Sequence, residues 1–319
     1  MPASDRLNRL SALARPSGAF AMLALDQRES LRTMLAAAPS RSATADGSSV
    51  AERPGPVPDD ALATFKIEAA RALTSAASAV LLDVDTGVGP VRDAGAIAAG
   101  CGLIVAADRL TQAPGGPVEW TEVDERVLDD ESIQRIADAY KLLVIWRPGE
   151  EAERERVVRS FVAACRRLER PAIVEGIARP AGAGAGTGDA PLGPAAHADL
   201  VVEAARELAG LGADLYKGEV PTLGAADDGT IAAAAERVTA AIDCPWVVLS
   251  NGTPADRFDT AMLAACRGGA DGFLAGRAIC TASIAAPDRV HHLETVAAPR
   301  LAALAAAVDE VVGGRGATR

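Results

Sequence analysis

Eight short apolar runs, each closing on a polar or ionisable residue or on glycine, recur through this chain with helical stretches between most of them. They lie at 21–26, 79–83, 102–108, 140–147, 171–177, 212–221, 245–250 and 272–277. Runs such as Ala79-Val80-Leu81-Leu82-Asp83 show little period-2 alternation, as expected of parallel strands covered on both faces. Helical spacing fills 31–38, 60–77, 150–168, about 196–210, 228–241 and 254–267, and a last helix is expected over 298–312. Residues 1–17 read as a leader, 39–58 as a flexible loop rich in Pro, Ser and Gly, and 111–131 as a polar insertion. An α/β chain of this pattern is expected to form a single (β/α)8 TIM barrel across 1–319, with its functional groups at the C-terminal ends of the strands. The rival is an open doubly wound sheet, which also binds ligands at strand ends. Eight units and the lack of an early glycine fingerprint favour the barrel.

A core of this kind is within reach of the composition. The chain has 319 residues, 49% of them hydrophobic but only 3% aromatic, so alanine, leucine and valine must do most of the filling. The formal charge of −11 argues against a nucleic-acid or anionic-membrane partner. The five cysteines form no CxxC or other metal-ligand spacing, and no apolar run reaches membrane-spanning length; a soluble cytoplasmic protein is expected.

Lysine usage singles out one strand. There are three lysines, Lys66, Lys141 and Lys217, against twenty-nine arginines. A lysine retained where arginine is the habit is a candidate for amine chemistry, because a guanidinium offers no nucleophilic lone pair. Lys217 lies in the sixth run, GADLYKGEVP (212–221), where alternation puts Leu215, Lys217 and Glu219 on one face. If that face points inward, Lys217 and Glu219 share the barrel mouth with Lys141 and Glu175. A second cation and partial burial would both favour the neutral, nucleophilic amine of Lys217. The bland alternative is a buried salt bridge. The seventh and eighth runs end in Ser250-Asn251-Gly252 and Gly276-Arg277, where a hydroxyl, exposed backbone N–H groups and a guanidinium suit a phosphate.

Three other features are read as structural. The glycine-rich stretch 182–188 is followed by prolines rather than a helix, so it is expected to be a loop and not a dinucleotide site. His291, His292 and Glu294 lack a matching ligand cluster. Asp83 is expected at the sheet rim or in an ion-pair network, and Asp85 beside it does not suffice for a magnesium site.

The stretches LDQRES (25–30), KLLVIWR (141–147), DLYKGEVP (214–221) and FLAGRA (273–278) resemble the class I aldolases of the tagatose-1,6-bisphosphate aldolase family. Within that family they resemble the sulfofructosephosphate aldolases of bacterial sulfoquinovose breakdown, and the similarity runs over roughly 15–315. The resemblance implies a (β/α)8 barrel with no cofactor, the covalent imine forming on Lys217. It makes Glu175 the proton-transfer group and Lys141 the second catalytic lysine. Asp26 and Gln27 would line the sugar site and Ser250 and Arg277 would hold the anion, while Gly252 and Gly276 are expected, from residue type alone, to let the backbone approach it. The implied reaction is reversible cleavage of 6-deoxy-6-sulfofructose 1-phosphate to dihydroxyacetone phosphate and 3-sulfolactaldehyde. No metal is required, since the lysine is the electron sink. The chain departs from the family pattern at Gly176, where proline is common, and at Asn251, where a small residue is usual. Tagatose 1,6-bisphosphate or another ketose 1-phosphate is therefore an alternative substrate, and a non-catalytic sugar-phosphate-binding barrel is an alternative of another class. The expected partner is a ketose phosphate or sulfosugar phosphate, and a homo-oligomer is expected.

Overall fold

The computed structural model describes residues 8–38, 57–113, 116–182 and 192–316. Most of the expected loop 39–58, most of the glycine-rich stretch and the first seven residues of the expected leader lie outside the described residues.

The eight apolar runs are the staves of a closed barrel. They are β1 (Phe20–Leu25), β2 (Ala79–Leu82), β3 (Gly102–Ala106), β6 (Ala139–Trp146), β7 (Ala172–Ala178), β8 (Leu215–Glu219), β9 (Trp246–Leu249) and β10 (Gly272–Ala275). All pair in parallel around the ring, and β10 closes on β1 with Phe20 opposite Gly272. Two further strands, β4 (Asp108–Gln112) and β5 (Val118–Val123), form a separate antiparallel hairpin with Asp108 opposite Val123. The polar insertion expected over 111–131 is thus partly a β-hairpin. In β4 the exposed Arg109 and Thr111 alternate with Asp108, Leu110 and Gln112, as in a ribbon wet on one face.

Inside the ring, alternate residues stack in layers. Met22, Leu81, Ile104, Ile173, Leu215 and Val247 belong to one interior cluster, while their neighbours Tyr140, Tyr216 and Trp246 face the helical sheath. Leu10 and Leu13, fully buried, belong to that interior cluster too. They come from the segment expected to be a leader, which contributes these two side chains to the core. Arg9 ties it down by donating to the Arg170 carbonyl at 2.6 Å and pairing with Asp214 at 3.3 Å.

Glycine is required where strands or side chains come close. A Cβ on Gly176 would meet the Tyr216 hydroxyl at 2.3 Å, which gives a local reason for glycine after Glu175. The final helix, Ala298–Gly316, runs four residues past the expected end.

Candidate active site

Strand alternation and register assemble the polar floor of the mouth. Lys217 lies one interior layer above Leu215, and Glu175 lies opposite it on the neighbouring strand. Lys141 on β6 sits two residues below Leu143, the register partner of Glu175. The Lys217 Nζ donates to Glu175 Oε2 at 2.9 Å. Lys141 Nζ is 3.3 Å from the same oxygen, 2.6 Å from Asp26 Oδ2 and 2.7 Å from Asp108 Oδ2. Asp108 also accepts from the Leu143 N–H at 3.1 Å and from Arg28 at 3.2 Å.

Burial and charge oppose each other here. Burial works against the Lys141 ammonium, but Asp108, Asp26 and Glu175 outweigh it and hold the amine well above its ordinary range. Burial likewise works against the Asp26 carboxylate, and Lys141, Lys217 and Arg28 overcome it, leaving Asp26 well below its ordinary value. Lys141 was expected to act on Lys217 as a bare second cation. It stands instead inside three carboxylates, so the field it projects is that of a neutralised cluster.

A cavity of about 260 Å³ opens above this floor. Of the residues expected in the site, Asp26, Gln27, Lys141, Glu175, Lys217, Ser250, Gly276 and Arg277 line it. Gly252 does not. With a φ of 73° it turns the chain after β9, and a side chain there would strike Leu223 at 2.7 Å. Gly276 is held by close approach instead: a Cβ would lie 2.1 Å from the Ala24 carbonyl and 2.5 Å from the Gln27 amide. The Gln27 amide is fixed by donating to that carbonyl at 3.2 Å. Ser250 Oγ accepts from Ala278 N–H at 3.4 Å, at the start of the helix Arg277–Ile284. The Arg277 guanidinium donates to Asn251 Oδ1.

Among the cavity residues not named as site residues are the charged groups Arg28, Glu29 and Arg179, with Asn251 beside Ser250. Arg28 directly follows the Asp26-Gln27 pair, which was the available signal. Arg179 and Asn251 lie just past the ends of β7 and β9. The hairpin also reaches the cavity, which Leu110, Gln112 and Val118 help to wall.

Lys66, the third lysine, is fully buried and outside the cavity lining. It pairs with Asp83 and donates to Thr86 Oγ1 at 2.9 Å. Burial depresses its pKa despite that pairing. Asp83 thus belongs to an ion pair, as expected, and Asp85 lies 3.8 Å from Arg28. His292 Nδ1 meets Ser283 Oγ at 2.9 Å. Among the described residues, no group of three or more His, Cys, Asp or Glu side chains is arranged to hold a metal ion. No described helix is long and apolar enough to cross a membrane.

Residues 20–282 match a family model described as DeoC/LacD family aldolase. Tagatose 1,6-diphosphate aldolases of Listeria monocytogenes serotype 4a (strain HCC23) and Listeria innocua serovar 6a are each 28% identical over 180 residues, 54% of this chain and 47% of theirs. The chain thus spans about half the length of the curated relatives it matches. Among solved structures, fructose-bisphosphate aldolase from Plasmodium falciparum aligns with a TM-score of 0.67 at 13% identity, over 98% of this chain and 95% of that one. An archaeal fructose 1,6-bisphosphate aldolase aligns at 0.57 and 15% identity, over 97% and 99%. At such identities the likeness is one of fold.

Proposed function

Because the chain belongs to the DeoC/LacD family of aldolases, we propose that it is a class I, Schiff-base aldolase that reversibly cleaves a ketose 1-phosphate. The observation that carries this reading is the 2.9 Å contact between Lys217 Nζ and Glu175 Oε2 on the cavity floor. It sets an amine beside a group able to take its proton. The ammonium proton passes to Glu175, and the freed amine attacks the C2 carbonyl to give a carbinolamine. Glu175 returns the proton to the departing hydroxyl, water leaves, and an iminium remains. Glu175 then removes the C4 hydroxyl proton. The electrons of the C3–C4 bond flow into the iminium, the aldehyde departs and an enamine is left. Protonation at C3 and addition of water across C=N release dihydroxyacetone phosphate and restore Lys217. The iminium is the electron sink, so this scheme uses no metal. Lys141, held as an ammonium, offers a fixed positive charge to oxygens that gain negative charge.

Ser250, Gly276 and Arg277 are read as the holders of the 1-phosphate, at the start of a helix and beside a guanidinium fork. Arg28 and Arg179 line the same cavity and supply further positive charge, which favours a substrate carrying a second anionic group. The motif resemblance favours 6-deoxy-6-sulfofructose 1-phosphate, cleaved to dihydroxyacetone phosphate and 3-sulfolactaldehyde. The second reading is tagatose 1,6-bisphosphate, favoured by the relatives that carry that name. Borohydride added during turnover is expected to leave a reduced three-carbon phosphate adduct on Lys217, detectable by mass spectrometry. An unlabelled lysine under conditions of active cleavage overturns the Schiff-base scheme. Side-by-side kinetics on the two ketoses decide the sugar: kcat/KM for tagatose 1,6-bisphosphate equal to or above that for the sulfosugar removes the sulfosugar assignment.

A further inference from the structure

Glu219 ends β8 and is 1% exposed, yet it does not line the cavity. Its carboxylate braces the rim across neighbouring strands. Oε2 accepts from Ala178 N–H, at the end of β7, at 2.9 Å. Oε1 accepts from the Asn251 amide, just beyond β9, at 2.9 Å. Arg179 lies 3.5 Å from Oε1, and His197 Nε2 lies 3.7 Å from Oε2. Asn251 in turn presents its Oδ1 to Arg277, at the end of β10. A carboxylate only accepts and a guanidinium only donates, so the amide between them has one satisfied orientation. Reversing it would set donor against donor and acceptor against acceptor.

The spacer is chemically apt. A carboxylate in direct contact with Arg277 would neutralise the guanidinium and compete with an incoming anion. An amide passes on direction and leaves the charge available. Serine is too short to bridge both partners, and aspartate would repel Glu219.

We propose that Glu219, acting through Asn251, is the positioning residue that keeps Arg277 aimed at the anionic group of the substrate, and so sets how tightly the site takes phosphate. The inference rests on Arg277 being the anion holder of the aldolase site. Inorganic phosphate is the probe, titrated into the full chain by calorimetry, with circular dichroism to establish that each variant is folded. Glu219→Gln keeps shape but can donate, which releases Asn251 to turn its amide nitrogen toward Arg277. Phosphate affinity is expected to fall about tenfold. Asn251→Ser, at the less buried end of the chain of contacts, is expected to lose a similar amount and serves if the buried variant does not fold. In an Arg277→Lys background, where a compact ammonium needs no aimed fork, Glu219→Gln is expected to cost less than about twofold. With a ketose 1-phosphate, the loss should fall mainly on KM and little on kcat. Unchanged phosphate affinity in Glu219→Gln and Asn251→Ser overturns the inference. So does an equal loss in the Arg277→Lys background, which would mean that Glu219 acts only through strand register. Phosphate titration decides the positioning role and borohydride trapping decides the chemistry, so the two readings fail separately.

Discussion

At the floor of the cavity, Lys141 is surrounded by Asp26, Asp108 and Glu175, and all four side chains are largely withdrawn from water. The depressed pKa of Asp26 means that its contribution to stability is present above the ordinary value of 3.8 and is lost as pH falls through the lower folded value. The raised pKa of Lys141 means that its contribution is present below the ordinary 10.5 and is lost as pH rises through the higher folded value. Between those limits the pair contributes evenly. Lys141→Met takes the nearest cation from Asp26 and leaves Asp108 to Arg28 and Glu175 to Lys217, and thermal melts at pH 7 should show a loss of about 3–5 kcal/mol. Lys217→Arg separates charge from nucleophilicity: it keeps a cation beside Glu175, yet kcat should fall about a thousandfold or more. At this scale the sequence was most informative where a residue type was rare. Three lysines led to two in the cavity, whereas among twenty-nine arginines Arg28 was marked only by its place beside Asp26-Gln27, and nothing distinguishes Arg179 before the chain is folded.

Among the elements, the barrel strands were legible because both faces are covered and their apolar runs repeat. The hairpin of β4 and β5 was not, since most of its residues are only partly buried and its polar sequence resembles a loop. Its role at the cavity wall depends on long-range packing that local pattern does not carry. Ring closure is the tightest joint. Gly272 has a φ of 137°, and a Cβ there would meet the Phe20 carbonyl oxygen at 1.9 Å. Gly272→Ala combines backbone strain with a backbone clash and should cost about 2–4 kcal/mol, measured by urea unfolding. Wild-type stability in that variant would show that the β10–β1 seam is looser than its geometry implies.

Across the whole molecule the two ends of the barrel divide the work. The C-terminal end carries the cavity, and the N-terminal segment contributes Leu10 and Leu13 to the barrel interior. Leu13→Ala should lower stability by roughly 2–5 kcal/mol while leaving KM unchanged well below its melting temperature. A parallel shift in KM would show that the interior layers transmit the cavity to the mouth. That Leu10 and Leu13 would be buried was hidden in the sequence, because two leucines in a short turn acquire a partner only once the ring exists. The burial of the lysines also reaches beyond catalysis. Lys66, Lys141 and Lys217 are exposed by 0%, 1% and 3%, so no lysine offers its amine on the outer face. Acylating reagents too large for the cavity, and protein acetyltransferases, should find no lysine acceptor. A small amine-selective probe, by contrast, would have its accessible lysine in the mouth, making the adducts mapped to Lys217 a direct count of open sites.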